Sequence, residues 1–499
     1  MQMPSLSVNP PRSAAHGWPR AVTLLAHAAL LASAMSCASA HPPAARPTAA
    51  AAASDPGPAA RDARSLAAAG HASVICTGVF LQGREPDEVR RDSTYFVVND
   101  GDRDGVDRLD VDRTRREVRV SVRGGPARTA RLVEGLGCVT LPEDGRLHLD
   151  PARLGAARIA RTTAPWPDDL GPAGWAVSRE EQDATARAIA PWFDDAAALT
   201  AAVVVVHRGR IVAERYANGA TADTLLDTSA IGKSVLATLA GRLAQEHALA
   251  LDAPTGLPEW SRDERRALRP IDLMRMSSGL ACTSPFDDDW EESKGYTESQ
   301  YVYTGGVDAV GYALSRPLAK PPGTEGRYAN CDPLALVGLL ERVSATRGEP
   351  LLAYARRGLY APLGATRSLT EPDAYGHPLF IGYHFAAARD LARLGVLYAR
   401  DGVWKGERLL PEAFVRLVSG PAPAWKAPVY GAGFWRFPPG SPMPDDAFSM
   451  VGFGGQTVLV VPSLDLVVVR IGHPRGGDAA ARIRKAAYPA ILAAVRAAR

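Results

Sequence analysis

The 499-residue sequence has few cysteines, no excess of one charge and no apolar run long enough to span a bilayer. Its 57 Lys and Arg against 54 Asp and Glu leave a formal net charge of +3, and no run of five like charges occurs. This balance argues against a nucleic-acid partner. The five cysteines include no Cys-x-x-Cys pair, and no His-Glu-x-x-His sequence occurs. We therefore expect neither a metal site nor a cofactor.

The composition that is present is that of an ordinary globular protein, with 46% hydrophobic and 22% charged residues. Such a chain can bury complete cores, and its length allows two or three domains. Because neither the charge balance nor the cysteine and histidine pattern indicates a nucleic acid or a metal ion, we expect a small-molecule or peptide-like ligand.

The N-terminus has the pattern of an export signal. Arginines precede an apolar run over residues 21–35, which is shorter than the roughly 20 residues that a bilayer span needs. We predict a signal peptide over residues 1–40, with an N-terminal core helix as the alternative, and an Ala/Pro-rich linker over residues 41–70. Cleavage before Cys37 would leave a lipidated cysteine that tethers the protein to a membrane. The expected location is the periplasm or the outer membrane.

Residues 71–165 are predicted to form a small β-rich N-terminal domain. Runs of strand-forming residues are separated there by Asp/Gly turns. These runs are 94–98, 117–122 and 128–133. Cys76 and Cys138 flank them, and an even number of cysteines in an exported chain favours disulfides. We expect these two cysteines to be bonded to each other.

The second predicted domain, over residues 170–499, changes from strand-like to helix-like patterns and back. A hairpin of apolar strands comes first, helices and Gly/Pro loops follow, and strands and an Ala/Arg-rich helix come last. The strand-like runs are 202–207, 210–216, 448–450, 457–461 and 466–471. This order lets both chain ends share one antiparallel sheet. We predict an α/β (α+β) fold with an antiparallel sheet flanked by helices, together with a helical subdomain.

Three short segments of this domain carry groups that suit acyl transfer. In the first, Ala230 stands one helical turn before Lys233 at a helix start, where a nucleophile and a neutral lysine base would face each other. In the second, Tyr328 offers a phenol for proton transfer and Asn330 offers an amide for a ligand carbonyl. In the third, the glycines of residues 452–456 let a substrate lie against the backbone.

These segments, in this order and at these separations, resemble the family of serine β-lactamases, DD-peptidases and esterases, specifically its class C-like branch with nylon-oligomer hydrolases. Further matching segments are 272–280, 388–395 and 430–435. The resemblance covers most of the second domain. It implies a β-lactamase/transpeptidase-like fold and a serine hydrolase that acts on an ester or amide through an acyl-enzyme, without a cofactor.

The resemblance also implies roles for individual residues. Lys233 resembles the general base for acylation, and Tyr328 resembles the residue that carries a proton to the leaving group. The oxyanion hole of the family uses the backbone N–H groups of the nucleophile and of the residue after the third motif, here positions 230 and 456. The predicted catalytic residues are Ala230, Lys233 and Tyr328. The predicted substrate-binding residues are Asn330, Gly454, Gly455 and Gln456.

Two residues depart from the family pattern. Ala230 stands where the family has its nucleophilic serine, so the oxygen that forms the acyl-enzyme is missing. Phe453 stands where β-lactam-handling members carry Lys or His, and a phenyl ring cannot pair with the β-lactam carboxylate. We therefore expect an esterase or amidase for uncharged or apolar acyl groups.

Three hypotheses account for Ala230. The chain is a hydrolase altered at its nucleophile and inactive or impaired, a non-catalytic binding protein of the same fold, or an active hydrolase that uses Ser229. Ser229 is displaced about 100° around the helix from position 230 and lies outside the oxyanion geometry. Because Lys233, Tyr328 and the glycine segment are all retained, we favour the altered hydrolase.

Other features are expected at the edge of the site. Cys282 and Cys331 follow two of the matching segments, so a disulfide between them would brace the rim. Trp435 is a candidate for a wall of the acyl site. Specificity is expected to come from residues 283–304 and 425–444.

Overall fold

The computed structural model describes residues 55, 57–172 and 175–498, and its helices alternate with short strands along most of that length. The predicted signal peptide, Cys37 and most of the predicted linker lie outside the described residues. Within these ranges, no helix combines the length and the apolar character that crossing a membrane requires. The helices are Ala63–Phe80 (α1), Pro86–Ser93 (α2), Asp100–Arg103 (α3), Arg179–Ile189 (α4), Pro191–Asp194 (α5), Ile231–Gln245 (α6), Pro270–Met274 (α7), Glu298–Thr304 (α8), Ala309–Ser315 (α9), Cys331–Thr346 (α10), Leu351–Ala355 (α11), Ala361–Leu363 (α12), Ala388–Ala399 (α13), Glu412–Ser419 (α14) and Gly477–Ala497 (α15).

The strands are antiparallel to each of their neighbours. They are Val106–Asp112 (β1), Glu117–Val122 (β2), Arg128–Val133 (β3), Gly137–Thr140 (β4), Thr200–His207 (β5), Arg210–Tyr216 (β6), Leu226–Asp227 (β7), Ser368–Thr370 (β8), His384–Ala386 (β9), Val403–Trp404 (β10), Glu407–Arg408 (β11), Trp435–Arg436 (β12), Phe448–Gly452 (β13), Gln456–Val461 (β14) and Leu466–Gly472 (β15).

The largest sheet has the order β12-β13-β14-β15-β5-β6 and joins the first hairpin of the second domain to the last. Strand β15 pairs with β5 from Leu466 opposite His207 to Ile471 opposite Ala202. Helix α13 packs on one face of this sheet, and α4 and α15 cover the other side. The prediction that both chain ends share one antiparallel sheet flanked by helices is therefore confirmed.

The N-terminal sheet unit, residues 63–140, consists of α1, α2, α3 and a four-stranded sheet of order β1-β2-β3-β4. Helix α1 packs on β2 and β3, and the predicted disulfide between Cys76 and Cys138 ties it to β4, with 6.0 Å between the two Cα atoms. This disulfide is confirmed. Helix α1 also packs on α8 of the second predicted domain. The boundary between the two domains stays a prediction.

Two expectations for this unit were wrong. Helix α1 begins at Ala63, inside the stretch predicted to be a linker, because its alanine-rich first half has high helix propensity and is buried from Ser65 onward. Residues 94–98 form turns rather than a strand. Thr94 Oγ1 donates a hydrogen bond to Arg90 O at the end of α2, and Val98 N–H donates to Thr94 O, so the chain curls although its residues favour strands.

Candidate active site

The predicted nucleophile position lies at the start of α6. Ala230 precedes the first helical residue and is partly exposed. Just before it, the Ser229 N–H donates a hydrogen bond of 2.7 Å to Asp227 Oδ1. Thr228 Oγ1 lies 2.7 Å from Nδ1 of the buried His384, and the Thr228 N–H donates to His384 O at 3.0 Å. These contacts hold the backbone that carries position 230.

Lys233 lies one helical turn after Ala230 and is 5% exposed. Its Nζ donates a hydrogen bond of 2.6 Å to Ile381 O, and burial lowers the pKa of Lys233 to about 7. The same Nζ lies 5.1 Å from the centroid of the Tyr328 ring. Two of the predicted catalytic residues are therefore in contact, and a large fraction of the lysine is neutral at neutral pH and able to accept a proton.

Tyr328 and Asn330 differ in how they present their polar groups. Tyr328 is partly exposed, and the burial of its hydroxyl raises the pKa of Tyr328 above the ordinary value, so that it stays a proton donor at neutral pH. Asn330 is 3% exposed, and its Nδ2 donates a hydrogen bond of 2.7 Å to Ser299 O. One of the two N–H groups of Asn330 Nδ2 is thus bound within the protein, and the predicted contact with a substrate carbonyl would use the other.

The third motif lies directly against the segment that carries position 230. A Cβ atom at Gly452 would lie 2.2 Å from Thr228 O, so this close approach of two backbones requires glycine. The Phe453 N–H donates a hydrogen bond of 3.2 Å to Ser229 Oγ. Gly454 and Gly455 form the turn between β13 and β14, with φ angles of 82° and 81°.

Gln456 is fully buried at the start of β14. Its Nε2 donates a hydrogen bond of 2.6 Å to Gly472 O, and its Oε1 accepts one of 2.8 Å from the Gly472 N–H. The side chain therefore ties two strands together and does not face a substrate. The oxyanion role predicted for Gln456 depends on its backbone N–H.

Tyr303 is a residue of the site that sequence analysis missed. Its hydroxyl donates a hydrogen bond of 2.6 Å to Ile381 O, the same carbonyl that accepts from Lys233. Helix α8, which carries Tyr303, also contains Ser299, whose O accepts the hydrogen bond from Asn330 of the second motif. The sequence signal that was available is the capping box of Thr297 and Gln300, which starts α8. This helix lies within residues 283–304, from which only substrate specificity was expected.

Aromatic rings surround Tyr328. The ring centroid of Trp435 lies 5.4 Å from that of Tyr328, and the corresponding distances are 5.8 Å for Phe286 and 6.1 Å for Tyr430. Trp435 and Phe286 are both partly exposed. The placement of Trp435 agrees with its predicted position in a wall beside the candidate catalytic residues.

The predicted disulfide between Cys282 and Cys331 is confirmed, with 6.1 Å between the two Cα atoms. Cys331 begins α10 directly after Asn330. A second link joins the same two segments, because Ser278 Oγ donates a hydrogen bond of 2.6 Å to Asp332 Oδ1. A disulfide and a hydrogen bond therefore both fix the segment directly after Tyr328 to residues 278–282.

Comparisons with known proteins agree with this geometry. The sequence profile described as Beta-lactamase matches residues 185–488. The 6-aminohexanoate-dimer hydrolase of Paenarthrobacter ureafaciens is 26% identical over 288 residues, which are 54% of this chain and 72% of that protein.

Two solved structures align with large parts of this chain. A Bacillus anthracis protein provisionally named a 6-aminohexanoate-dimer hydrolase has a TM-score of 0.50 and 18% identity, over 68% of this chain and 88% of its own. A penicillin-binding protein homologue from Caulobacter crescentus has a TM-score of 0.48 and 19% identity, over 63% of this chain and 99% of its own. Because the family profile matches more than half of the chain, this protein belongs to the beta-lactamase family.

Proposed function

We propose that this chain is a serine hydrolase of esters or amides that is altered at its nucleophile, so that it binds acyl ligands without turning them over. The observation that carries the proposal is the buried Lys233 in contact with the ring of Tyr328, one turn after Ala230. These contacts support Lys233 as the base and Tyr328 as the proton donor, and the serine oxygen that they would act on is missing at position 230.

The proposed reaction needs one atom that this chain lacks. With serine at position 230, Lys233 would take the hydroxyl proton while Oγ forms a bond to the substrate carbonyl carbon. The bond from that carbon to the leaving group would break, and Tyr328 would give the leaving group a proton. Water would then release the acyl group. With alanine, neither Lys233 nor Tyr328 has a group to activate.

The substrate class follows from the groups around Phe453. A phenyl ring replaces the cation or imidazole that would hold a β-lactam carboxylate, and its neighbours include the ring of Phe96, with 5.5 Å between the ring centroids. These rings favour an uncharged or apolar acyl group. The Paenarthrobacter relative is named for hydrolysis of the 6-aminohexanoate dimer, which supports an ester or amide substrate in preference to a β-lactam.

Ser229 has contacts that make it a poor replacement nucleophile. Its Oγ accepts a hydrogen bond from the Phe453 N–H, while Lys233 Nζ donates to Ile381 O. These contacts favour position 230 as the site of attack.

The two disulfides are of the kind found in exported proteins. We infer a periplasmic location, or an outer-membrane anchor through a lipid on Cys37 if cleavage occurs there. Metabolic labelling with palmitate, compared between the natural chain and Cys37→Ala, tests the anchor.

The proposed function is tested by restoring the missing oxygen. Ala230→Ser should raise hydrolysis of p-nitrophenyl butyrate by a factor on the order of 10⁴ or more, because loss of one member of a catalytic unit costs factors of that order. It should also gain labelling by a fluorophosphonate probe. Short-chain esters should be turned over faster than penicillins and cephalosporins.

Two controls separate the hypotheses. Ala230→Ser combined with Lys233→Met should lose the gained activity, because the base is removed. If the natural chain already reacts and Ser229→Ala abolishes that reaction, Ser229 is the nucleophile. If Ala230→Ser folds but stays inert, the non-catalytic binding protein is the correct hypothesis.

A further inference from the structure

We propose that Phe96, carried by the N-terminal sheet unit, forms a wall of the acyl pocket and sets a preference for longer apolar acyl groups. This inference rests on the proposed function, since it names the group that the same site accepts. It assigns to the N-terminal sheet unit a part in substrate selection.

The chain holds Phe96 against α8, the helix that carries Tyr303. Gln300 Nε2 donates hydrogen bonds to Phe96 O at 3.4 Å and to Asn99 Oδ1 at 2.8 Å. The Asn99 N–H donates to Tyr296 Oη at 3.4 Å. The loop that carries Phe96 is therefore tied to the second domain by its own backbone and by Asn99, and the position of the ring is set by these contacts.

The ring of Phe96 meets rings from separate parts of the site. Its centroid lies 5.2 Å from that of Tyr303, 5.5 Å from Phe453 and 6.1 Å from Phe286. Phe286 in turn lies 5.8 Å from Tyr328. One ring thus separates Phe96 from the proposed proton donor, and Phe453 is bonded through its N–H to the residue before position 230.

Exposure distinguishes these rings from an ordinary core. Phe96, Phe286 and Phe453 are each partly exposed, although all three are large apolar side chains. Phe96, Phe453 and Ser229 line the same cavity of about 50 Å³, together with Val74 and Val97 of the N-terminal sheet unit. Two of these rings, Phe96 and Phe453, thus line a cavity that reaches Ser229, the residue before position 230, and apolar lining of this kind suits an apolar part of a ligand.

The test uses binding, because Ala230 leaves amide ligands intact. Titration calorimetry measures the dissociation constants of the p-nitroanilides of acetic, butyric and octanoic acid for the natural chain. The butyryl ligand should bind more tightly than the acetyl ligand, because a cavity of about 50 Å³ has room for the added methylene groups of butyryl, whereas the octanoyl ligand should gain little beyond it. Phe96→Ala should reduce that preference by about ten-fold, because it removes one face of apolar contact, while binding of the acetyl ligand changes by less than about two-fold.

Two further substitutions at position 96 guard against a simple loss of folding, which thermal unfolding checks for each variant. Phe96→Leu should keep most of the butyryl preference, whereas Phe96→Trp should weaken butyryl binding by filling the cavity. The matched control is Tyr95→Ala, because the Tyr95 ring lies under the Arg103 guanidinium, with 4.1 Å between them, and does not line the cavity. Tyr95→Ala should leave the preference unchanged.

The outcomes separate this inference from the proposed function. A butyryl preference that persists in Phe96→Ala, or that Tyr95→Ala removes equally, overturns the role of Phe96 even if Ala230→Ser gains activity. Absence of binding by every ligand of the series overturns it as well. A preference that depends on Phe96 while Ala230→Ser stays inert supports the pocket and rejects the hydrolase.

Discussion

Replacing Lys233 by methionine should make the protein more stable at low pH and remove a pH dependence that the natural chain has. The ordinary pKa of a lysine is 10.5, and burial lowers the pKa of Lys233 to about 7. Between these values the unfolded chain holds a proton that the folded chain has released. Since stability rises with pH wherever the unfolded state binds more protons, Lys233 makes the natural chain gain stability from about pH 7 to about pH 10.

The magnitude follows from the size of the shift. Each pKa unit corresponds to about 1.4 kcal/mol, so the natural chain should gain about 4 kcal/mol relative to Lys233→Met over that range. At pH 6, below the pKa of Lys233 in the folded protein, burial of the amine destabilises the folded state the most. Methionine has a similar volume and avoids this cost. Loss of the hydrogen bond to Ile381 O offsets about 1 kcal/mol of the gain.

The assay is urea unfolding of both chains at pH 6, 7, 8, 9 and 10 with the disulfides intact. Other titrating groups are shared and cancel in the difference between the chains. Lys426→Met is the matched control, because Lys426 is exposed and the substitution removes the same amine without opening a buried site. A pH-independent difference for Lys233→Met would refute the reasoning, because it would mean that Lys233 keeps its proton in the folded protein.

Two further results are expected. Glu371 is 1% exposed and accepts hydrogen bonds from the Cys138 N–H and Thr77 Oγ1, and burial raises its pKa to about 8. The folded chain therefore keeps a proton that the unfolded chain loses. The natural chain should lose stability relative to Glu371→Gln as pH rises from about 5 to about 8, and the difference should stay constant above about pH 8. Urea midpoints that change in parallel for both chains would contradict this. Replacing Cys282 and Cys331 by alanine together should cost about 4 kcal/mol in unfolding free energy, because the bond closes a separation of 49 residues. Equal denaturant midpoints, or free thiols at these positions in the denatured natural protein, would argue against the bond.

Much of the second domain could be predicted because its signals are local. The runs 202–207, 457–461 and 466–471 are rich in valine and bounded by turns, and they became β5, β14 and β15. The spacing of Ala230 and Lys233 was readable because one helical turn places both on one side of a helix. Both disulfides were also predicted, from the parity of the cysteines and from their positions beside the matched segments.

The N-terminal sheet unit was harder to predict. Fourteen of the eighteen residues of α1 are buried, so the helix has no polar face and no amphipathic period to reveal it. Residues 94–98 carry strand-forming side chains, but the hydrogen bond from Thr94 to the end of α2 curls them into turns. In α1 burial removed the amphipathic pattern that would have indicated a helix, and in residues 94–98 one side-chain hydrogen bond prevailed over strand propensity.

By itself, the sequence determined the family motifs, their order and the absence of a nucleophilic oxygen at position 230. The tertiary structure alone decided which groups meet there: Tyr303 shares a carbonyl with Lys233, and Phe96 reaches Phe453 from a part of the chain hundreds of residues away. It also decided the pKa of Lys233, because a lysine loses its proton at neutral pH only when packing removes water from the amine. The sequence specifies which side chains are present, whereas their contacts and their exposure to water are defined only once the chain has folded.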